Sequence, residues 1–91
     1  MIIAIDYDDT FSADPEFWTF VIEHGKSRGH AFVCVTARCG SPEDRHELRE
    51  ALPNIPFHFS CDEPKADYAR RYGLGIDVWI DDMPGWIVGV P

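Results

Sequence analysis

A chain of 91 residues has room for one domain and one modest core. With 45% apolar and 26% charged residues it is globular rather than disordered. Its 16 acids against 8 bases, a formal charge of −8, argue against a partner held by bulk positive charge, whether an extended nucleic acid or an anionic membrane. Ile2 to Ile5 is a continuous apolar run, which suits a strand buried on both faces. Asp14-Pro15 opens a first helix, with Asp14 as cap and Pro15 at a position whose N–H is unpaired anyway. Phe17, Phe20, Val21 and His24 share a face, Gly25 weakens the helix and Gly29 ends it. Phe32 to Val35 is the second buried strand. Ser41-Pro42-Glu43-Asp44 has capping-box spacing and opens a second helix. Its apolar stripe is Leu48, Ala51 and Leu52, and the rest, from Arg45 to Glu50, reads as solvated. Phe57-His58-Phe59 suits an edge strand. A third helix runs from about Pro64 to Tyr72 and stops at Gly73. Ile76 to Ile80 is the last firm strand, and Trp86 to Val90 is expected to add a short terminal one.

Strand and helix alternate throughout residues 1–91, which implies a single α/β domain: a parallel sheet with right-handed crossovers and helices on its faces. No apolar run reaches the length that spans a bilayer, and the N-terminus lacks a secretory pattern. Cys34, Cys39 and Cys61 are odd in number and lack paired spacing. They predict neither a disulfide nor a cysteine zinc site, with Cys34 a small core residue, and a reducing cytoplasm fits best. His24, His30, His46 and His58 have no ligand-like spacing.

In parallel α/β sheets ligands sit beyond the carboxyl ends of the strands. Two acidic clusters fall there: Asp6, Asp8 and Asp9 after the first strand, and Asp81-Asp82 after the last. Asp6 and Asp8 start out on the same side, because side chains alternate along a strand. If the first and fourth strands are neighbours, these carboxylates converge, and a divalent cation relieves their repulsion. Oxygen ligands without His or Cys point to Mg²⁺. Thr36 ends the second strand and Lys65 lies in the first turn of the third helix, where a hydroxyl and an ammonium suit an anion.

The order of these features resembles the haloacid dehalogenase superfamily of phosphohydrolases. The matching segments are Ile2-Ile3-Ala4-Ile5-Asp6-Tyr7-Asp8-Asp9-Thr10, Val33-Cys34-Val35-Thr36, Lys65-Ala66-Asp67-Tyr68-Ala69 and Val78-Trp79-Ile80-Asp81-Asp82. The resemblance implies a three-layer Rossmann-like sheet of four or five strands, ordered 3-2-1-4 with a fifth strand after the fourth. It implies a Mg²⁺-dependent phosphomonoester hydrolase, with Asp6 as nucleophile and Asp8 as general acid and base. It further implies Mg²⁺ on Asp6, the Asp8 carbonyl, Asp81 and Asp82, and phosphoryl oxygens held by Thr36 and Lys65. Asp9, Thr10 and Ala37 are expected to join them in binding phosphate and substrate. Thr36-Ala37-Arg38 is similar to a Ser/Thr-x-Arg variant in the phosphatase half of polynucleotide kinase-phosphatases, where the arginine helps hold phosphate. The gaps between the segments leave no room for a cap domain, so the expected site is open. Its expected substrate is a small phosphate ester or the phosphate end of a macromolecule. Phe11 either lines the entrance with Tyr7 or packs under the first helix, and self-association through Trp18 is a further expectation. The alternative is a phosphorylatable or catalytically idle Mg²⁺-binding regulatory domain of the same fold.

Overall fold

A computed structural model of the chain describes residues 1–89. Four strands, β1 (Ile2–Ile5), β2 (Ala31–Thr36), β3 (Phe57–Phe59) and β4 (Val78–Ile80), form one sheet. All pairs are parallel and the order is β3-β2-β1-β4. The chain winds first toward β3 and then returns past β1 to β4, so the order reverses at β1. That reversal opens a crevice between the carboxyl ends of β1 and β4. The register runs Ile5 opposite both Cys34 and Ile80, and the Asp6 amide extends the ladder by donating to the Ile80 carbonyl at 2.9 Å.

The apolar runs divide between two faces as alternation requires. Ile3, Ile5, Phe32 and Cys34 meet α1 (Pro15–Ser27) and α2 (Pro42–Ala51) through Trp18, Ile22, Leu48 and Ala51, joined by Leu52 just past α2. Ala4, Val33 and Val35 meet Leu74, Ile76 and Trp79 on the other face. The short α3 (Lys65–Arg71) lies on that side, where Tyr68 contacts His58 of β3. Asp14 caps α1 by accepting from the Phe17 amide, and Ser41 and Asp44 form the reciprocal capping box of α2.

Several expectations are corrected. The buried stripe of α1 is Trp18 and Ile22, while Phe17 and Phe20 are 53% and 69% exposed and His24 stacks on Phe20 in solvent. Gly25 also has a packing role, since a Cβ there would come within 2.5 Å of the buried Phe32 ring. The bare backbone at Gly25 is what lets α1 lie close on β2. The segment after β4 forms a short helix, α4 (Gly85–Val88), where a fifth strand was expected; Val90, the end of that expected strand, lies outside the described residues. Cys39 and Cys61 form a disulfide. Their 22-residue separation in the chain hid a Cα–Cα distance of 4.1 Å, which only the adjacency of β2 and β3 creates. Cysteine usage therefore gives no support to a reducing compartment. Cys34 is free and buried as expected, and burial pushes its thiol pKa up. Among the described residues no helix is long and apolar enough to cross a membrane.

Candidate active site

After Asp6 the chain leaves the sheet in a tight turn. The Asp6 carbonyl accepts from the Phe11 amide at 3.2 Å, and the Tyr7 carbonyl from the Ser12 amide at 2.9 Å. Asp9 takes a positive φ of 59° at the apex, and its amide donates to the Ser12 hydroxyl. Phe11 is 2% exposed and joins Tyr7 in the core, so neither lines an entrance. The anchored Phe11 draws Thr10 back over the strand end. The Thr10 hydroxyl lies 3.3 Å from Asp6 Oδ2 and 3.0 Å from Asp82 Oδ1, and accepts from the Asp82 amide at 3.2 Å.

Lys65 is the first residue of α3 and is 2% exposed. Its ammonium donates to Asp6 Oδ1 at 2.8 Å and to Asp81 Oδ2 at 2.6 Å. The Met83 amide donates to the other Asp81 oxygen at 2.9 Å. Burial pulls the Lys65 pKa down, but its bonds to Asp6 and Asp81 outweigh that and hold it above the ordinary lysine value. Asp6 shows the opposite balance. Desolvation dominates, Lys65 offsets only part of it, and the carboxyl is pushed up to about 6. Asp6, Asp81 and Asp82 each offer a carboxylate oxygen, all within 4.8 Å of one another. Three carboxylates against one ammonium leave two negative charges, the charge of one divalent cation. A cavity of about 340 Å³ lined by Asp9, Thr10, Ala13, Trp18, Ile80, Asp81 and Asp82 opens beside these groups. The larger cavity, about 510 Å³, lies between Pro64 and Trp86 and contains none of the converging carboxylates.

Asp8 and Arg38 belong to a second cluster. Arg38 Nε and one terminal nitrogen donate to both Asp8 oxygens, at 2.9 and 2.8 Å. The remaining N–H groups reach Glu47 at 2.9 and 3.3 Å and Asp44 at 3.2 Å. The guanidinium carbon lies 5.1 Å from the centre of the Tyr7 ring. The bonds to Asp8 and then Glu47 raise the Arg38 pKa further, and Arg38 lowers that of Glu47. Burial, followed by the bond to Glu47, pushes the Tyr7 phenol up to about 12.

Thr36 and Ala37 brace the loop after β2. The Thr36 hydroxyl accepts from the Arg38 amide at 3.3 Å. The Thr36, Arg38 and Ala37 carbonyls accept from the amides of Ser60, Cys61 and Asp62. The disulfide closes the same seam. Asp6, Thr10, Lys65, Asp81 and Asp82 are thus brought together, Asp8 and Arg38 pair beside them, and Asp9 is exposed at the rim. Sequence reasoning missed Asp44 and Glu47. Their spacing of three on a helix puts them on one face, but Asp44 also serves the capping box, which accounts for its charge without a partner. No protein-family model, curated protein or solved structure matches the chain, so the resemblance rests on its four segments alone.

Proposed function

We propose that the chain is a Mg²⁺-dependent phosphomonoesterase of the haloacid dehalogenase type, acting through an aspartyl-phosphate on Asp6. The observation that carries this reading is the meeting of Asp6, Asp81 and Asp82 with buried Lys65 beyond the adjacent ends of β1 and β4. The donor set fits the metal: it is all oxygen, closely grouped, and two negative charges in excess. Asp6, Asp81, Asp82 and the Asp8 carbonyl would hold it. Bound Mg²⁺ supplies Lewis-acid polarisation of the phosphoryl group and neutralises the attacking carboxylate.

The chain's own residues account for the rest. An Asp6 oxygen bonds to phosphorus, the bond to the leaving oxygen breaks, and that oxygen takes a proton from Asp8. Water then attacks phosphorus and gives a proton to Asp8, and Asp6 departs as a carboxylate with release of inorganic phosphate. Lys65, already against Asp6, lies where charge gathers on the phosphoryl oxygens. Thr10 holds Asp6 and Asp82 in mutual register. The segment from β1 to β2 holds only a single turn and α1, so nothing there covers the site, and the substrate is a phosphate ester that an open edge accepts. Turnover of p-nitrophenyl phosphate with and without Mg²⁺ tests this reading. The expected result is Mg²⁺-dependent release of nitrophenol, lost on the order of 10³-fold or more in Asp6→Asn. Absence of Mg²⁺-dependent turnover on a panel of phosphate esters would refute it.

A further inference from the structure

All five N–H groups of Arg38 are taken. Two hold Asp8, two reach Glu47, and one terminal nitrogen also reaches Asp44. A guanidinium has no sixth donor. A phosphate would have to share or displace a bond that one of these carboxylates already holds. The cluster as a whole repels anions, since three carboxylates surround one positive charge. Nor is the side chain loosely placed. Its amide is tied to Thr36, its carbonyl to the Cys61 amide, its neighbour Cys39 to Cys61 by the disulfide, and its guanidinium faces the buried Tyr7 ring.

We propose that Arg38 is a positioning residue and not a phosphate ligand: Glu47 and Asp44 anchor it on α2, and its other edge holds the Asp8 carboxylate for the proton transfer that releases the phosphoryl group. This rests on the proposed function for the identity of the reaction, but the anchoring chain is independent of it. Glu47 acts two links away from Asp8 and is itself an anion, so it has no direct use for a phosphate. Its loss loosens the anchor of Arg38, and through it the placement of Asp8, without removing a group that could itself hold phosphate.

Three measurements decide the matter. In the first, inorganic phosphate is bound to the Mg²⁺-loaded protein. In Glu47→Gln and Arg38→Ala its affinity stays within about twofold of wild type. A loss of about tenfold or more in Arg38→Ala is what removal of a charged phosphate contact produces, and it overturns the proposal. In the second, p-nitrophenyl phosphate, whose leaving group needs no proton, isolates the hydrolytic step. Both variants are expected to show a burst of one nitrophenol per chain and then turnover slowed by about 10²-fold, the loss of a placed base. A variant slowed without a burst counts against the role assigned to Asp8. The third is an NMR readout that needs no activity. The Arg38 Nε–H resonance of the folded wild type is expected to move in Asp8→Asn and in Glu47→Gln, and an unmoved resonance removes the anchoring chain. A wild type that neither turns over phosphate esters nor forms a phosphoenzyme refutes the proposed reaction instead, and the resonance then decides the anchoring chain by itself.

Discussion

Asp6 is an acid that this fold makes costly to ionise. Desolvation is the largest influence, Lys65 offsets part of it, and the carboxyl rises from 3.8 to about 6. Between those two values the folded chain keeps a proton that the unfolded chain has released. Stability from this group is therefore lost as pH rises from about 4 to about 6, opposite to a salt-bridged aspartate whose pKa is depressed. Two pKa units correspond to roughly 3 kcal/mol. In EDTA, the stability of wild type minus that of Asp6→Asn should fall across this range. Thermal unfolding at about pH 4.5 and about pH 7 checks it, and a difference that does not change with pH would mean that Asp6 ionises freely in the fold. The proposed Mg²⁺ would select the ionised carboxylate, so any stabilising effect of added Mg²⁺ should grow over the same range. Lys65→Met is the harsher change. It leaves Asp6 and Asp81 facing each other without the ammonium between them, at a cost of about 3–5 kcal/mol, read as a lower denaturant midpoint.

At the scale of elements, what the sequence made legible was what local pattern controls. The apolar runs of β1 and β2, the Asp14 cap, the capping box at Ser41 and the stop at Gly73 follow from neighbours a few residues apart. What it hid depends on distant pairing. Periodicity finds an apolar stripe on α1 but does not choose between overlapping stripes; contact with Phe32 and the core selects Trp18 and Ile22 over Phe17 and Phe20. The convergence of Asp6 with Asp81-Asp82 was legible because strand-end acids announce themselves. The grip of Glu47 and Asp44 on Arg38 was not, because helix-surface acids look alike until the facing element is known. The disulfide belongs with the hidden features: Cys39 and Cys61 follow different strands and meet only because β2 pairs with β3. Closing a loop of that length is worth about 3 kcal/mol in the chain-entropy account. Unreduced protein should therefore expose one reactive thiol after denaturation, Cys34, and all three only after reduction. Cys39→Ser should lower the midpoint of thermal unfolding by about 10–20 °C. Three reactive thiols without reductant would exclude the bridge.

For the molecule as a whole, half of the surplus negative charge sits at and beside the proposed phosphate site. The converging carboxylates with Lys65, and Asp8, Asp44 and Glu47 with Arg38, each carry two net negative charges, together half of the formal −8. A divalent cation cancels the first pair of charges and leaves the second. Of the remaining bases, Arg70 and Arg71 face Asp67 and Glu63, so they add little attraction along that side. On the proposed function, a compact phosphate ester would meet mainly the metal and Lys65. A phosphorylated oligonucleotide brings further phosphates into the field of the second cluster and of the acidic surface beyond it. Salt shortens the reach of that field, from roughly 30 Å at 0.01 M to roughly 8 Å at 0.15 M ionic strength. The proposed activity should therefore show a salt dependence of unusual sign. As NaCl rises through that range, kcat/KM for a terminally phosphorylated oligonucleotide of about ten nucleotides should rise relative to that for p-nitrophenyl phosphate. Proteins that hold nucleic acid through Lys and Arg do the reverse, because added salt weakens counterion release. A ratio that falls with salt would reveal a basic track for the chain of phosphates, and with it a substrate that the distribution of charge argues against.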